Sequence, residues 1–346
     1  SRRRPQPEDT SIRTGPMPRR ARFRTPTLLA GTLVVGGLAA AGAPNAEPIE
    51  ITQIAVPLDV SDRARDTVGG LTFLGGFRLT SPHPDFGGWS GLWVSPDGQR
   101  MVAVGDRGHW LTANTTFGAD GHLQGIRDAE IIPMLDTAGI PVEPPWADAE
   151  SIAALAGGFL VSFERAHRFW WYSARTPEEL AVAIPAPYFH PDEMHDAPTN
   201  GGVEALTEMG GGTLVAFSEG LKRGEAIAGW TFDGEKSESP VSYAAQGRYV
   251  PTGAATLPSG DALILERRFD LTGFRSRVVR LDRDALQSGA TVEATEIAAF
   301  TRPLAVENYE GIATVESPQG TLVFLISDNN FTALQRTLLM VFRIDP

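Results

Sequence analysis

Glu150 and Glu164 frame the stretch "ESIAALAGGFLVSFE", in which one carboxylate opens an apolar segment, another closes the next, and Gly157-Gly158 separates the two. The arrangement recurs: Ser90 and Asp106, Glu204 and Glu219, Thr252 and Glu266, and Glu310 and Asp328 frame four more segments of the same kind. Eight of the ten framing residues are carboxylates, whereas acids are only 42 of the 346 residues, so the excess calls for a cause. Carboxylates crowded in one place repel one another unless a raised pKa, a cation or an Arg partner relieves them. Hard oxygen donors in such number favour Ca²⁺ first and Mg²⁺ or Mn²⁺ after it. The six His are too sparse at these positions for a zinc site. Asp106, Glu150, Glu164, Glu204, Glu219, Glu266, Glu310 and Asp328 are therefore the candidate metal ligands.

Basic residues follow several of these acids, in Asp106-Arg107, Glu164-Arg165 and Glu266-Arg267, and Asn329 follows Asp328. A planar guanidinium grips phosphate or carboxylate at two points, so Arg107, Arg165, Arg267 and Asn329 are candidates for holding an anionic ligand beside a cation. Glu150, Glu204 and His109, the last just beyond Asp106-Arg107-Gly108, are the candidate acids and bases. The alternative for every one of these carboxylates is structural: it accepts hydrogen bonds from strand amides or holds an Arg of a neighbouring element.

The elements that must position these side chains are hairpins. Each repeat runs polar residue, apolar strand, Gly-containing turn, apolar strand, acid, with turns at Asp97-Gly98, Gly157-Gly158, Gly210 to Gly212, Ser259-Gly260 and Gln319-Gly320. Repeat starts at 90, 150, 204, 252 and 310 leave room for four strands each, and "RFWWYSA", "IAGWTFDG", "RVVRLDRD" and "TLLMVFRIDP" supply outer strands. Repeats of this length with four strands each predict an all-β chain, a β-propeller of five or six four-stranded antiparallel blades. The last repeat holds three strands, and "GLTFLGGFRLT" (70–80) is expected to add the fourth and close the ring, while "IEITQIAVPL" (49–58) is an extra strand that leaves a sixth blade open. In an antiparallel hairpin the start of the first strand lies beside the end of the second, so both sets of framing residues are expected at one face of the disc near its axis.

Charge is unevenly spread. Residues 1–43 carry a net +6 and the rest −18, a balance that repels nucleic acid and anionic membranes and suits cations or a cation-bridged anion. "PRRARFRTPTLLAGTLVVGGLAAAGAPNA" passes from a basic to a small, apolar region and reads as an export signal, so residues 1–46 are expected to be a removed extension and 47–346 one propeller domain. The absence of Cys excludes disulfides and thiolate chemistry, and with export it points to a bacterial periplasm or secretion.

The ordered motifs "SGLWVSPDG…VGDRG", "DAESIA…SFER", "NGGVEAL…FSEG", "PTGAATLPSGD…LERRF" and "ENYEGIA…LISDNNF" resemble those of the exported bacterial phytase-like propellers, the esterase-like activity of phytase family. The resemblance runs from about residue 70 to the C-terminus and implies a propeller with esterase or phosphomonoesterase activity. The resulting expectation is an exported, metal-dependent hydrolase of phosphoesters or related esters, with a small anionic substrate, no nucleic-acid partner, no membrane contact after signal removal, and a monomeric state. The alternative is a non-catalytic propeller that binds a metal-bridged anion or a partner protein, since the fold serves many roles. A third, lactonase-like reading would use one central cation and a small cyclic ester. Ser90 and Ser218 lack the G-x-S-x-G elbow of a serine hydrolase, "HPDEMHD" (190–196) reads as a polar loop, and "FWWY" (169–172) as blade packing.

Overall fold

Apolar side chains on both faces of the inner strands decide the architecture, because they bury those strands on two sides. In one strand, Met101 and Ala103 pack towards one neighbouring sheet while Val102 and Val104 pack towards the other. The computed structural model describes residues 46–345 apart from 235–237 and 272, and the expected export signal lies outside these described residues. They form five antiparallel sheets arranged as a five-bladed propeller. Among the described residues helix is confined to short pieces such as Pro177–Leu180, opened by a Thr176 and Glu179 capping box.

Blade 1 is built from Trp89–Val94, Arg100–Gly105, His109–Phe117 and Leu123–Pro133. Blade 2 follows with Ala149–Leu155, Gly158–Phe163, Arg168–Tyr172 and Ala186–Tyr188. Blade 3 has Val203–Glu208, Leu214–Arg223, Ala226–Phe232 and Glu238–Tyr243, and blade 4 has Val250–Thr256, Ala262–Asp270, Gly273–Leu281 and Thr295–Phe300. Blade 5 takes Asn308–Ser317, Gly320–Asp328 and Thr337–Ile344 from the C-terminal end of the chain and its fourth strand, Leu71–Thr80, from the N-terminal side. This is the expected closure, and it hides an edge that would otherwise be open to pairing. The additional strand of the 49–58 region, Thr52–Ala55, pairs outside Leu71–Thr80 and widens blade 5 instead of starting a sixth.

Five apolar clusters fill the five inter-blade seams. The "FWWY" segment packs there as expected: Phe169 stacks on Phe232 of blade 3 at 5.5 Å, and Tyr172 meets Trp110 of blade 1 edge-on at 5.0 Å. The first strand of each blade is innermost and touches the first strand of the next, with blade 5 returning to blade 1.

A single irregularity repeats in all five blades and aims the site. The pairing of the first two strands slips by one residue around Ser90, Glu150, Glu204, Thr252 and Glu310, which are left without a cross-strand partner. Each is a β-bulge, a device that turns one side chain out of the pleat. Next to the bulges the inner strands come very close. A β-carbon at Gly253 would lie 2.4 Å from the Glu310 carbonyl oxygen, so blades 4 and 5 meet only because that position has no side chain.

Candidate functional site

The bulged residues project towards the propeller axis, and the residues that end the second strands join them. Asp106, Glu164, Glu219, Arg267 and Asp328 lie opposite Gly88, Asp148, Gly202, Val250 and Asn308, one register step beyond the last pair before each bulge. Together the two sets enclose a polar cavity of about 200 Å³ lined by Ser90, Asp106, Asp148, Glu150, Glu164, Arg165, Asn200, Glu204, Glu219, Arg267, Glu310, Asp328 and Asn330. The opposite mouth of the channel, lined by Ile152, Ala255, Thr256 and Ile312 among others, is apolar apart from threonines and one glutamate. The chemistry is therefore on one face.

Seven of the eight acids expected as metal ligands meet in this cavity. Glu266 does not. It stands one residue short of the equivalent position, and because side chains alternate faces along a strand, that step turns it away from the axis. It is fully buried between blades, where it accepts hydrogen bonds from Arg277 Nε and, at 2.7 Å, from Tyr243 Oη. For Glu266 the structural alternative holds, and its neighbour Arg267 takes the place in the ring.

Of the expected anion-binding residues, Arg165 and Arg267 line the cavity and Arg107 and Asn329 do not. Arg107 lies over the Phe331 ring at 3.5 Å and donates to the Pro84 carbonyl at 3.1 Å. The Asn329 Oδ1 accepts from the amides of Gly88 and Phe331, shaping the loop beside the cavity. His109 also sits outside, 3.9 Å from Asp85, with its pKa lowered by burial. Ser218 is structural, donating to the Gly201 carbonyl at 2.6 Å. The 190–196 stretch, expected as a loop, winds into a short 3₁₀ helix over Asp192–Asp196 that contributes Glu193 to a cluster with Arg223 and Trp230 away from the cavity.

Three residues of the site escaped the sequence: Asp148, Asn200 and Asn308. Asp148 carried a signal, since it precedes Glu150 by two residues, the spacing that puts side chains on one strand face. Asn308 carried the same signal two residues before Glu310, whereas Asn200 stands outside the repeated positions and carried none.

Within the cavity, Asp148, Glu150 and Glu164 bring one oxygen each within 4.8 Å of one another, and all three residues sit in the blade 2 wall. Arg165 Nε donates to Asp148 Oδ2 at 2.5 Å, and its terminal nitrogens make no hydrogen bond among the described residues. Glu164 Oε1 is held by the amides of Gly201 (2.5 Å) and Gly202 (2.7 Å), which fixes the carboxylate. On the opposite side, Arg267 reaches Glu310 Oε1 at 2.5 Å, Asn308 Oδ1 at 2.7 Å and Glu219 Oε1 at 2.9 Å.

Burial and mutual repulsion leave most of these acids reluctant to ionise. Burial, then the charges of Glu310 and Asp148, pushes Asp106 up to about 8. Burial, with Glu310 and Asp106, takes Asp328 to about 9, and burial takes Glu164 to about 7 against the pull of its two amide donors. Glu150 and Glu204 are raised well above the carboxylate range, by burial first and then by Glu204 and Glu219 respectively. Ser90 Oγ lies 3.0 Å from both Asp106 Oδ1 and Glu310 Oε2, and having one proton it donates to only one of them at a time. A proton on the other carboxyl completes the pair of bonds. The arrangement is a desolvated, oxygen-rich cavity that gains from any added positive charge.

No curated protein matches the chain. Among solved structures it is similar to the catalytic domain of the Coprinopsis cinerea GH62 alpha-L-arabinofuranosidase, with 11% identity over 87% of this chain and 97% of that one and a TM-score of 0.46. It is also similar to a protein of unknown function from Dyadobacter fermentans (13% identity, 87% and 94% covered, TM-score 0.40). A structure from the GH130 family of mannoside phosphorylases is similar as well (12% identity, 75% and 87% covered, TM-score 0.46). Likenesses this distant say nothing about chemistry. The profile of the phytase-like family, described as esterase-like activity of phytase, matches residues 84–331, well over half of the chain. That span contains all five bulges and all five second-strand residues of the cavity, and the chain belongs to this phytase-like family.

Proposed function

We propose that this protein is an exported hydrolase of phosphoesters or related small anionic esters, acting as a monomer and depending on a divalent cation bound at the acidic end of the propeller channel. The observation that carries the reading is the convergence of Asp148, Glu150 and Glu164, three buried carboxylates with oxygens within 4.8 Å of one another. Such a donor set fits a hard cation, Ca²⁺ before Mg²⁺ or Mn²⁺, and Asn200 and Asn330 add amide oxygens to the same cavity. When bound, the cation supplies Lewis acidity and the positive charge that offsets an anionic substrate. Membership of the phytase-like family supports hydrolysis, and export rests on the basic and apolar segment of residues 18–46.

The chain's own residues divide the remaining work. Arg165, pinned to Asp148 through Nε and 42% exposed at its side chain, presents its terminal nitrogens to the anionic group. Burial and the nearby Glu219 push the Glu204 carboxyl well above the usual carboxylate range, which suits it to donate a proton to a leaving oxygen. Glu150, next to it in the ring, helps to hold the cation.

The reading is tested by turnover of a panel of phosphomonoesters and carboxylic esters before and after removal of divalent ions with EDTA. Hydrolysis that disappears with EDTA and returns with Ca²⁺ is expected. Hydrolysis indifferent to EDTA contradicts it, and cation binding with no turnover of any ester replaces it with a non-catalytic propeller that binds cation-bridged anions.

A further inference from the structure

Four blades place an acid at the end of the second strand, and blade 4 alone places a base there. Its bulged residue is also uncharged: Thr252 Oγ1 donates to the Tyr309 carbonyl at 3.0 Å. Blade 4 thus gives the cavity no carboxylate and one guanidinium. That guanidinium lies among the carboxylates of both neighbouring blades, 2.5 Å from Glu310 of blade 5 and 2.9 Å and 3.9 Å from Glu219 and Glu204 of blade 3. Its side chain is 23% exposed and its terminal nitrogens are committed to these partners and Asn308, so it is poorly placed to receive a substrate anion. The blade 2 side has no guanidinium bridging several of its carboxylates, because among the described residues the Arg165 side chain hydrogen-bonds Asp148 alone.

We propose that Arg267 is a built-in counter-ion. It fills, with a charge that cannot dissociate, the place of a second divalent ion among Glu204, Glu219 and Glu310, and confines exchangeable cations to the Asp148, Glu150 and Glu164 side. A guanidinium stays charged throughout the accessible pH range, so this half of the cavity keeps a counter-charge whatever the cation supply. Arg267 is on this account a positioning residue that sets the number of ions bound. The proposal rests on the cation reading of the site only for the ion count of the native protein; the difference made by Arg267 is independent of it.

The test is equilibrium dialysis with Ca²⁺ alone, comparing the native chain with Arg267→Gln and Arg267→Lys. One ion per native chain, two in Arg267→Gln and one in Arg267→Lys are expected, since Lys keeps the charge and Gln does not. An equal count in the native and Gln proteins overturns the proposal, and so does a second ion in Arg267→Lys. A native chain that binds no ion while Arg267→Gln binds one refutes the cation reading of the function and sustains this one. Should Arg267→Gln fold poorly, refolding yield is measured with and without millimolar Ca²⁺. Rescue by Ca²⁺ supports the proposal, and a yield that ignores Ca²⁺ overturns it.

Discussion

Glu266 and Arg267, adjacent in the chain, face opposite ways: Glu266 turns into the seam between blades 3 and 4 to meet Arg277, and Arg267 turns into the axial cavity to meet Glu219 and Glu310. The two carry different burdens, one holding blades together and the other balancing charge in the site. Glu266→Ala leaves the Arg277 guanidinium buried without its partner, a change that costs about 3–5 kcal/mol. Chemical denaturation should show that loss, while the Ca²⁺ affinity of the folded fraction stays as in the native protein. A drop in affinity without a loss of stability would return Glu266 to the site.

The cavity acids also fix a pH dependence of stability. Asp106, Glu164 and Asp328 have folded pKa values of about 8, 7 and 9, all above their unfolded values near 4. A raised folded value means that the folded state holds more protons, so the stabilisation is complete below about pH 4 and is lost as pH rises through 7 to 9. With EDTA present, these groups should make the Tm fall from pH 5 to pH 9; added Ca²⁺, which competes with those protons, should recover most of the fall at the alkaline end. A Tm in EDTA that climbs steadily over the same range would contradict the assignment.

Close approach of the inner strands predicts that Gly253→Ala is felt in the neighbouring blade. The added methyl meets the Glu310 backbone carbonyl at 2.4 Å, so blades 4 and 5 must separate. A loss of about 1–3 kcal/mol is expected from overpacking of this kind, measured by urea denaturation.

Of the two arginines that line the cavity, Arg165 is the one whose terminal nitrogens make no hydrogen bond among the described residues, and Arg165→Ala should weaken binding of anionic esters specifically. Loss of one charge-assisted contact of about 1.4 kcal/mol raises KM roughly tenfold. A neutral ester should be little affected, and steady-state kinetics on a charged and an uncharged substrate separate the two.

Much of this was legible in the sequence because the hairpins announce themselves. Gly turns and apolar strands gave the blades, and the acids at the strand ends gave seven of the eight carboxylates assembled in the cavity. Register was the part that stayed hidden. Glu150 to Glu164 and Thr252 to Glu266 have the same chain separation, yet two residues (156–157) turn the first hairpin and five (257–261) turn the second. The longer loop shortens the paired strands, and Arg267 instead of Glu266 arrives at the axis. A bulge adds to this difficulty because it shifts pairing by one residue without a residue type that marks it. His109 and Arg107 lie outside the cavity for a related reason: they follow a ring acid in the chain, but the turn at Gly108 carries them outward to Asp85 and Phe331.

The central claim is that Asp148, Glu150 and Glu164 together hold a divalent cation. A crystal structure grown with Ca²⁺, with anomalous scattering used to locate the ion, measures this directly. The account predicts one strong peak coordinated by oxygens of all three residues at about 2.3–2.6 Å, lost in crystals of Glu150→Gln. A cavity without an anomalous peak, or an ion bound elsewhere on the propeller while these three carboxylates stay uncoordinated, would contradict it.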